Sequence, residues 1–173
     1  LSYDLRNSSY KPTAGSRTYF YQELPIISGN NEISNTLIYT RYKSLNDASD
    51  MVGKASLYLN TINSIDGSDV RISKRSQVPY NRLRGFQKGK IGPKDNSDYI
   101  GGNYVSTLNL STNLPTILRN VENVDFSYFI DIANVWGVDY DNSIDDSNII
   151  RTSTGIGLDL LTTIGPLSFS FSQ

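Results

Sequence analysis

The side chains that could do acid–base, nucleophilic or metal chemistry are few in this sequence, and their spacing limits them further. The 173 residues contain no cysteine and no histidine. That removes disulfides, thiolate zinc sites, cysteine nucleophiles, the usual general base and the commonest metal ligand. The densest run of oxygen ligands is Asp139-Tyr-Asp-Asn-Ser-Ile-Asp-Asp146, whose alternation suggests a calcium loop. It lacks the central glycine, and the twelfth position counted from Asp139 is Ile150 rather than Glu. A solvated loop is the better reading, and Ser64-Ile-Asp-Gly-Ser-Asp69 reads as a turn. Glycine-rich phosphate loops and paired acid–base constellations are both missing. The expectation is a protein that is not an enzyme, with no catalytic residue, no metal and no cofactor. With 16 basic against 17 acidic side chains, nothing suggests a nucleic-acid partner, which would require a clustered basic footprint. Among the remaining charged runs is Arg82-Leu-Arg-Gly-Phe-Gln87, a cationic segment with Lys88 and Lys90 close behind it.

The elements that must position that segment are strands. Phe126-Ser-Tyr-Phe-Ile-Asp-Ile-Ala-Asn-Val-Trp136 puts Phe126, Tyr128, Ile130 and Ile132 on one face. Ser127, Phe129, Asp131 and Ala133 fall on the other. Tyr104 to Ser111 sets Leu108 and Leu110 against Thr107, Asn109 and Ser111. Thr152 to Leu161 sets Ile156, Leu158 and Leu160 against Gly155, Gly157 and Asp159, and Leu167, Phe169 and Phe171 alternate with serines. Weaker strand patterns cover Arg17–Glu23, Ser34–Lys43 and Val52–Ile62.

One apolar and one polar face fit either a soluble β-sandwich or a transmembrane barrel. No apolar run approaches the roughly 18–20 residues of a membrane-spanning helix. The 12 tyrosines favour a barrel with aromatic girdles. So do the connections: Gly165-Pro166 and Pro25 to Asn31 are short, whereas about Ser64 to Asn103 and Gly137 to Ile150 are long and polar. A loop as long as the first is out of place inside a compact soluble domain.

Within that loop, Arg82-Leu-Arg-Gly-Phe-Gln87 is followed by Ile91-Gly-Pro93 and Ile100-Gly-Gly-Asn103. These residues resemble the sixth extracellular loop of the Omp85 superfamily, where an Arg-Gly-Phe tripeptide is usually preceded by Val; here Leu83 stands there. The resemblance runs on in order along the chain. Tyr10-Lys-Pro-Thr-Ala-Gly15 looks like the turn between two mid-barrel strands, and Phe129-Ile-Asp-Ile-Ala-Asn-Val-Trp136 like the strand ending in Val-Trp. Ser153-Thr-Gly-Ile-Gly157 and Gly165-Pro-Leu167 look like the two strands after it.

The resemblance implies an all-β, antiparallel transmembrane barrel in partial form. It would run from the end of strand eight through strand fifteen of sixteen, over residues 1–173, with the extracellular loop at about 64–103. On this reading the chain is the C-terminal part of the barrel, a bacterial surface antigen domain, cut from a longer protein whose soluble repeats lie upstream. The implied function is the central component of the outer-membrane assembly machinery, folding and inserting β-barrel proteins. Its partners would be nascent outer-membrane barrel proteins, accessory lipoproteins and the lipid bilayer, in the bacterial outer membrane. Other superfamily members, translocating polypeptides or assembling autotransporters, would share the same segments.

At the site, the resemblance implies that the loop folds into the lumen and Arg84 pairs with carboxylates on the wall. Asp131 matches the acidic residue of the Val-Trp strand, and alternation independently puts it on the polar face. Asn109 stands where barrel-assembly members commonly carry Glu, so one partner is neutral; its amide can still accept from a guanidinium. Gly85 is expected to allow a conformation or approach that a Cβ would block. Phe86 is expected to pack on the lumen wall. The bland alternative makes Arg84 one solvated cation among Arg82, Lys88 and Lys90.

Overall fold

The computed structural model describes residues 1–25, 31–48, 50–115, 124–144, 149–163 and 165–173. Ten strands follow one another: β1 Ser2–Asp4, β2 Gly15–Glu23, β3 Glu32–Ser44, β4 Val52–Ser64, β5 Lys94–Asp95, β6 Asp98–Tyr99, β7 Tyr104–Asn113, β8 Val124–Trp136, β9 Arg151–Thr162 and β10 Gly165–Ser172. Eight of them form one antiparallel sheet in the order β1-β2-β3-β4-β7-β8-β9-β10, and β5 pairs with β6 in a small hairpin inside the long loop. Sheet neighbours are also sequence neighbours, apart from that inserted hairpin. The barrel is unclosed, since β1 pairs with β2 and β10 with β9. A β-sandwich would need a second sheet packed face to face; here a loop covers the polar face, and the sandwich alternative falls.

Three strands, β3, β4 and β8, run for 13 residues each, beyond the roughly 9–11 that a tilted strand needs to cross a bilayer. Alternation decides what each face meets. Phe20, Tyr39, Leu59, Leu108, Leu110, Ile156 and Phe169 lie exposed on the outer face. On the inner face of β7 and β8, Val105, Thr107, Phe129, Asp131, Ala133 and Val135 are buried. Leu158 and Leu160 follow the outer parity of β9, as the alternation predicts.

The burial comes from the loop between β4 and β7. Val78, Leu83 and Ile91 of the loop form one apolar cluster with Val105, Ala133 and Val135 of the wall, and Tyr58 packs at its margin. A segment that reads as long and polar therefore carries half of the core. Close approach sets its backbone: Gly92 has φ +103, and a Cβ there would come within 2.9 Å of Val135 Cγ1. At the loop's exit, Gly102 and Ser76 exchange backbone hydrogen bonds of 2.8 and 2.9 Å. At the opposite end of the sheet, the Tyr10–Gly15 turn joins β1 to β2. Gly15 has φ +99, and its missing Cβ leaves room for the Leu5 carbonyl. The link predicted over Pro25 to Asn31 falls largely outside the described residues.

Candidate functional site

The tripeptide sits between two tight turns, closed by Arg82 N–H to Pro79 O at 2.9 Å and Lys90 N–H to Gln87 O at 3.1 Å. Leu83, 2 % exposed, anchors the segment in the apolar cluster. That anchor delivers Arg84 to the wall. Its Nε donates to Asp131 Oδ2 at 2.7 Å, its Nη2 to Oδ1 at 2.8 Å, and its own backbone N–H to Oδ2 at 3.1 Å. A two-point guanidinium–carboxylate contact fixes orientation as well as distance. Below it lies the Phe129 ring, whose centroid is 3.4 Å from the guanidinium carbon. Cation and ring face attract each other, most strongly where water is excluded, and Phe129 is fully buried. Arg84 is thus held in place by several contacts, unlike a solvated loop cation.

Asn109 completes the set differently from the expectation. Its Nδ2 donates to Asp131 Oδ1 at 2.8 Å and to the Arg82 carbonyl at 2.7 Å. The guanidinium it accepts from is that of Arg82, at 3.3 Å, and not that of Arg84. The reason is geometric: Asn109 lies directly across the β7–β8 pair from Asp131, so it reaches the carboxylate from the side while Arg84 takes the front. An amide in this position donates to the carboxylate, which a glutamate could not do. Arg82 in turn reaches Ser56 Oγ at 3.3 Å and lies 4.8 Å over the Tyr58 ring.

Phe86 departs from the expectation. It is 41 % exposed, and the aromatic ring of the site comes from Phe129 on the wall. Gly85 beside it has φ +85, and a Cβ there would stand 2.3 Å from Ser172 Oγ on β10. The loop tip therefore presses toward β10, and the Phe86 ring beside it stays partly exposed. Gly101, with φ +71, and Gly102 shape the return into β7.

A second fixing point was not foreseen. Arg75, whose side chain is fully buried, pairs with Asp139 and donates to the Val70 carbonyl at 3.1 Å. Asp139 also accepts from Val70 N–H at 2.6 Å and from Asn103 Nδ2 at 3.1 Å. Burial pushes the Asp139 carboxyl up, but the Val70 N–H, the Asn103 amide and the Arg75 charge bring it below its ordinary value. The run read as solvated from Asp139 thus begins with a residue that ties two loops together. Asp145 and Asp146 lie outside the described residues, and no group of three or more possible metal ligands occurs among those described. Chemically, the site can clamp a loop across the inner wall at two heights.

The profile of the Omp85 superfamily domain matches residues 1–173. Among solved structures, the chain is similar to BamA from Haemophilus ducreyi, crystallised without POTRA domains 1–3. The match has 31 % identity and a TM-score of 0.86, over 99 % of this chain and 37 % of that one. The chain thus spans little more than a third of the length of the protein it matches.

Proposed function

The chain belongs to the Omp85 superfamily, and from that premise we propose that it serves the folding and insertion of β-barrel proteins into the bacterial outer membrane, as the braced wall of the barrel-assembly subunit. The role is mechanical rather than enzymatic. Strands β1 to β4 and β7 to β10 supply a span of wall, and the loop between β4 and β7 braces its inner face. Client barrels would be handled by pairing with exposed strand edges and by disturbance of the nearby bilayer. The partners are nascent outer-membrane barrel proteins, accessory lipoproteins of the same complex and the lipid itself; no cofactor takes part.

The observation that carries this reading is the Arg84–Asp131 clamp, which joins a loop to a wall residue 47 positions away with three hydrogen bonds to one carboxylate. Desolvation offsets much of the Coulomb gain of a buried pair, so position is its better-founded product; removing one partner still costs about 3–5 kcal/mol. The test is a charge-exchange cycle in the full-length protein, with barrel assembly followed in reconstituted membranes. Arg84→Asp and Asp131→Arg are each expected to cut assembly at least tenfold, and the double exchange to recover part of it. Two single variants as active as the unaltered protein would overturn the brace.

A further inference from the structure

The outer face of the strands is almost without charge. Among the described residues its outward positions carry no Asp or Glu, and its two basic residues, Arg41 and Lys43, are neighbours on β3. The inner face, by contrast, mixes Asp4, Arg17, Lys54, Asp131 and Asp159. Both outward cations lie near the end of the sheet opposite the long loop, and neither has a carboxylate partner among the described residues.

Beside them the wall is hollowed. Register sets Arg41 next to Ala55, Leu110 and Ile130, and Lys43 next to Gly53, Thr112 and Tyr128. Because β4 offers only a hydrogen and a methyl there, an apolar groove of about 380 Å³ runs between the cations and the Leu110–Ile130 ridge. Gly53 is not required by its backbone, which lies outside the left-handed region, and a Cβ there would meet nothing closer than the Leu45 methyl at 3.3 Å. Its effect is to keep the wall low.

We infer that this groove seats a glycerophospholipid with an anionic headgroup, an acyl chain lying over Gly53 and Ala55 and the phosphate held by Arg41 and Lys43. The inference rests on the reading of the sheet as a membrane wall. Long basic side chains near the end of a span reach to the interface, where a phosphate supplies a countercharge that no described carboxylate gives. Apolar walls beside them shelter the chain, as in other largely apolar ligand sites.

The test takes the full-length protein in vesicles of phosphatidylcholine with a minor share of phosphatidylglycerol. Lipids that stay bound after release are counted by native mass spectrometry. Each basic side chain at an anionic surface is worth about fivefold in affinity, so the R41S/K43S variant is expected to hold the phosphatidylglycerol about 25-fold more weakly. Ala55→Phe, which fills the groove and keeps both charges, is expected to lose the same lipid; Ala55→Leu is read beside it as a smaller filling. Retention of phosphatidylglycerol by R41S/K43S overturns the inference, and its retention by both Ala55 variants overturns the groove. Failure of the unaltered protein to enter vesicles would instead defeat the membrane reading itself.

Discussion

Arg75 and Asp139 show how a single pair can govern a loop. A guanidinium with no exposure is costly without its counter-ion, so Asp139→Asn is expected to destabilise the loop seat by about 2–3 kcal/mol. The pair also gives the loop a pH dependence. The Asp139 carboxyl titrates below its ordinary range in the fold, so its stabilisation is complete above the ordinary carboxylate pKa. It is lost as pH falls through the lowered native value. Hydrogen exchange of residues 70–78 should therefore quicken as pH drops below about 4, after correction for intrinsic exchange, and Asp139→Asn should remove that change. An unchanged pH profile in the variant would show that another group governs the loop. Neither partner was legible in the sequence. Arg75 follows Arg71 and Lys74 in a run that looks solvated, and Asp139 opens an acidic stretch. Their meeting, 64 positions apart, depends on where the two loops cross. Arg84 and Asp131 were legible because one sits in a distinctive tripeptide and the other breaks an apolar strand on a face that alternation had already assigned as polar.

At the scale of elements, the strands were readable because a period of two is imposed by the pleat itself. All seven patterned runs are strands, with facing residues as alternation requires. The loop was not readable as a core element. Val78, Leu83 and Ile91 follow no period, because an irregular backbone presents side chains at irregular intervals. The β5–β6 hairpin is too short to leave a pattern at all. Only the position of glycines hinted at tight packing, and Gly85, which combines a positive φ with a close neighbour on β10, is one such case. Alanine there would adopt a left-handed conformation that costs about 1–2 kcal/mol, and would also crowd Ser172 Oγ. Gly85→Ala is expected to make the loop about 5–30 times more open to limited proteolysis. Ser172→Gly in the same protein should relieve the crowding but leave the conformational cost. Full rescue by that second change would place the whole effect in the contact with β10 and none in the backbone.

The molecule as a whole is an open sheet with a lipid-compatible outer face, and that combination is unstable in isolation. One side of β10 bonds β9 over eight residues, while its other side has no strand beside it among those described. The same holds for β1, which bonds only β2 in the sheet. Water can satisfy such N–H and C=O groups; hydrocarbon cannot, at several kcal/mol for each one left unpaired. The loop brace does not help, since it covers the inner face and, among the described residues, gives no backbone hydrogen bond to either edge strand. Edge pairing must therefore come from further strands of the same barrel or from a second copy of the chain. The 173-residue chain refolded alone into detergent is accordingly expected to sediment as dimers or larger species, with protected amides in β9 and β10. Supplying the remaining barrel strands as a separate polypeptide should shift it to one defined complex. A folded, monodisperse monomer of the chain alone, with exchange-protected β10, would mean that the edges are satisfied in a way the sheet topology does not provide.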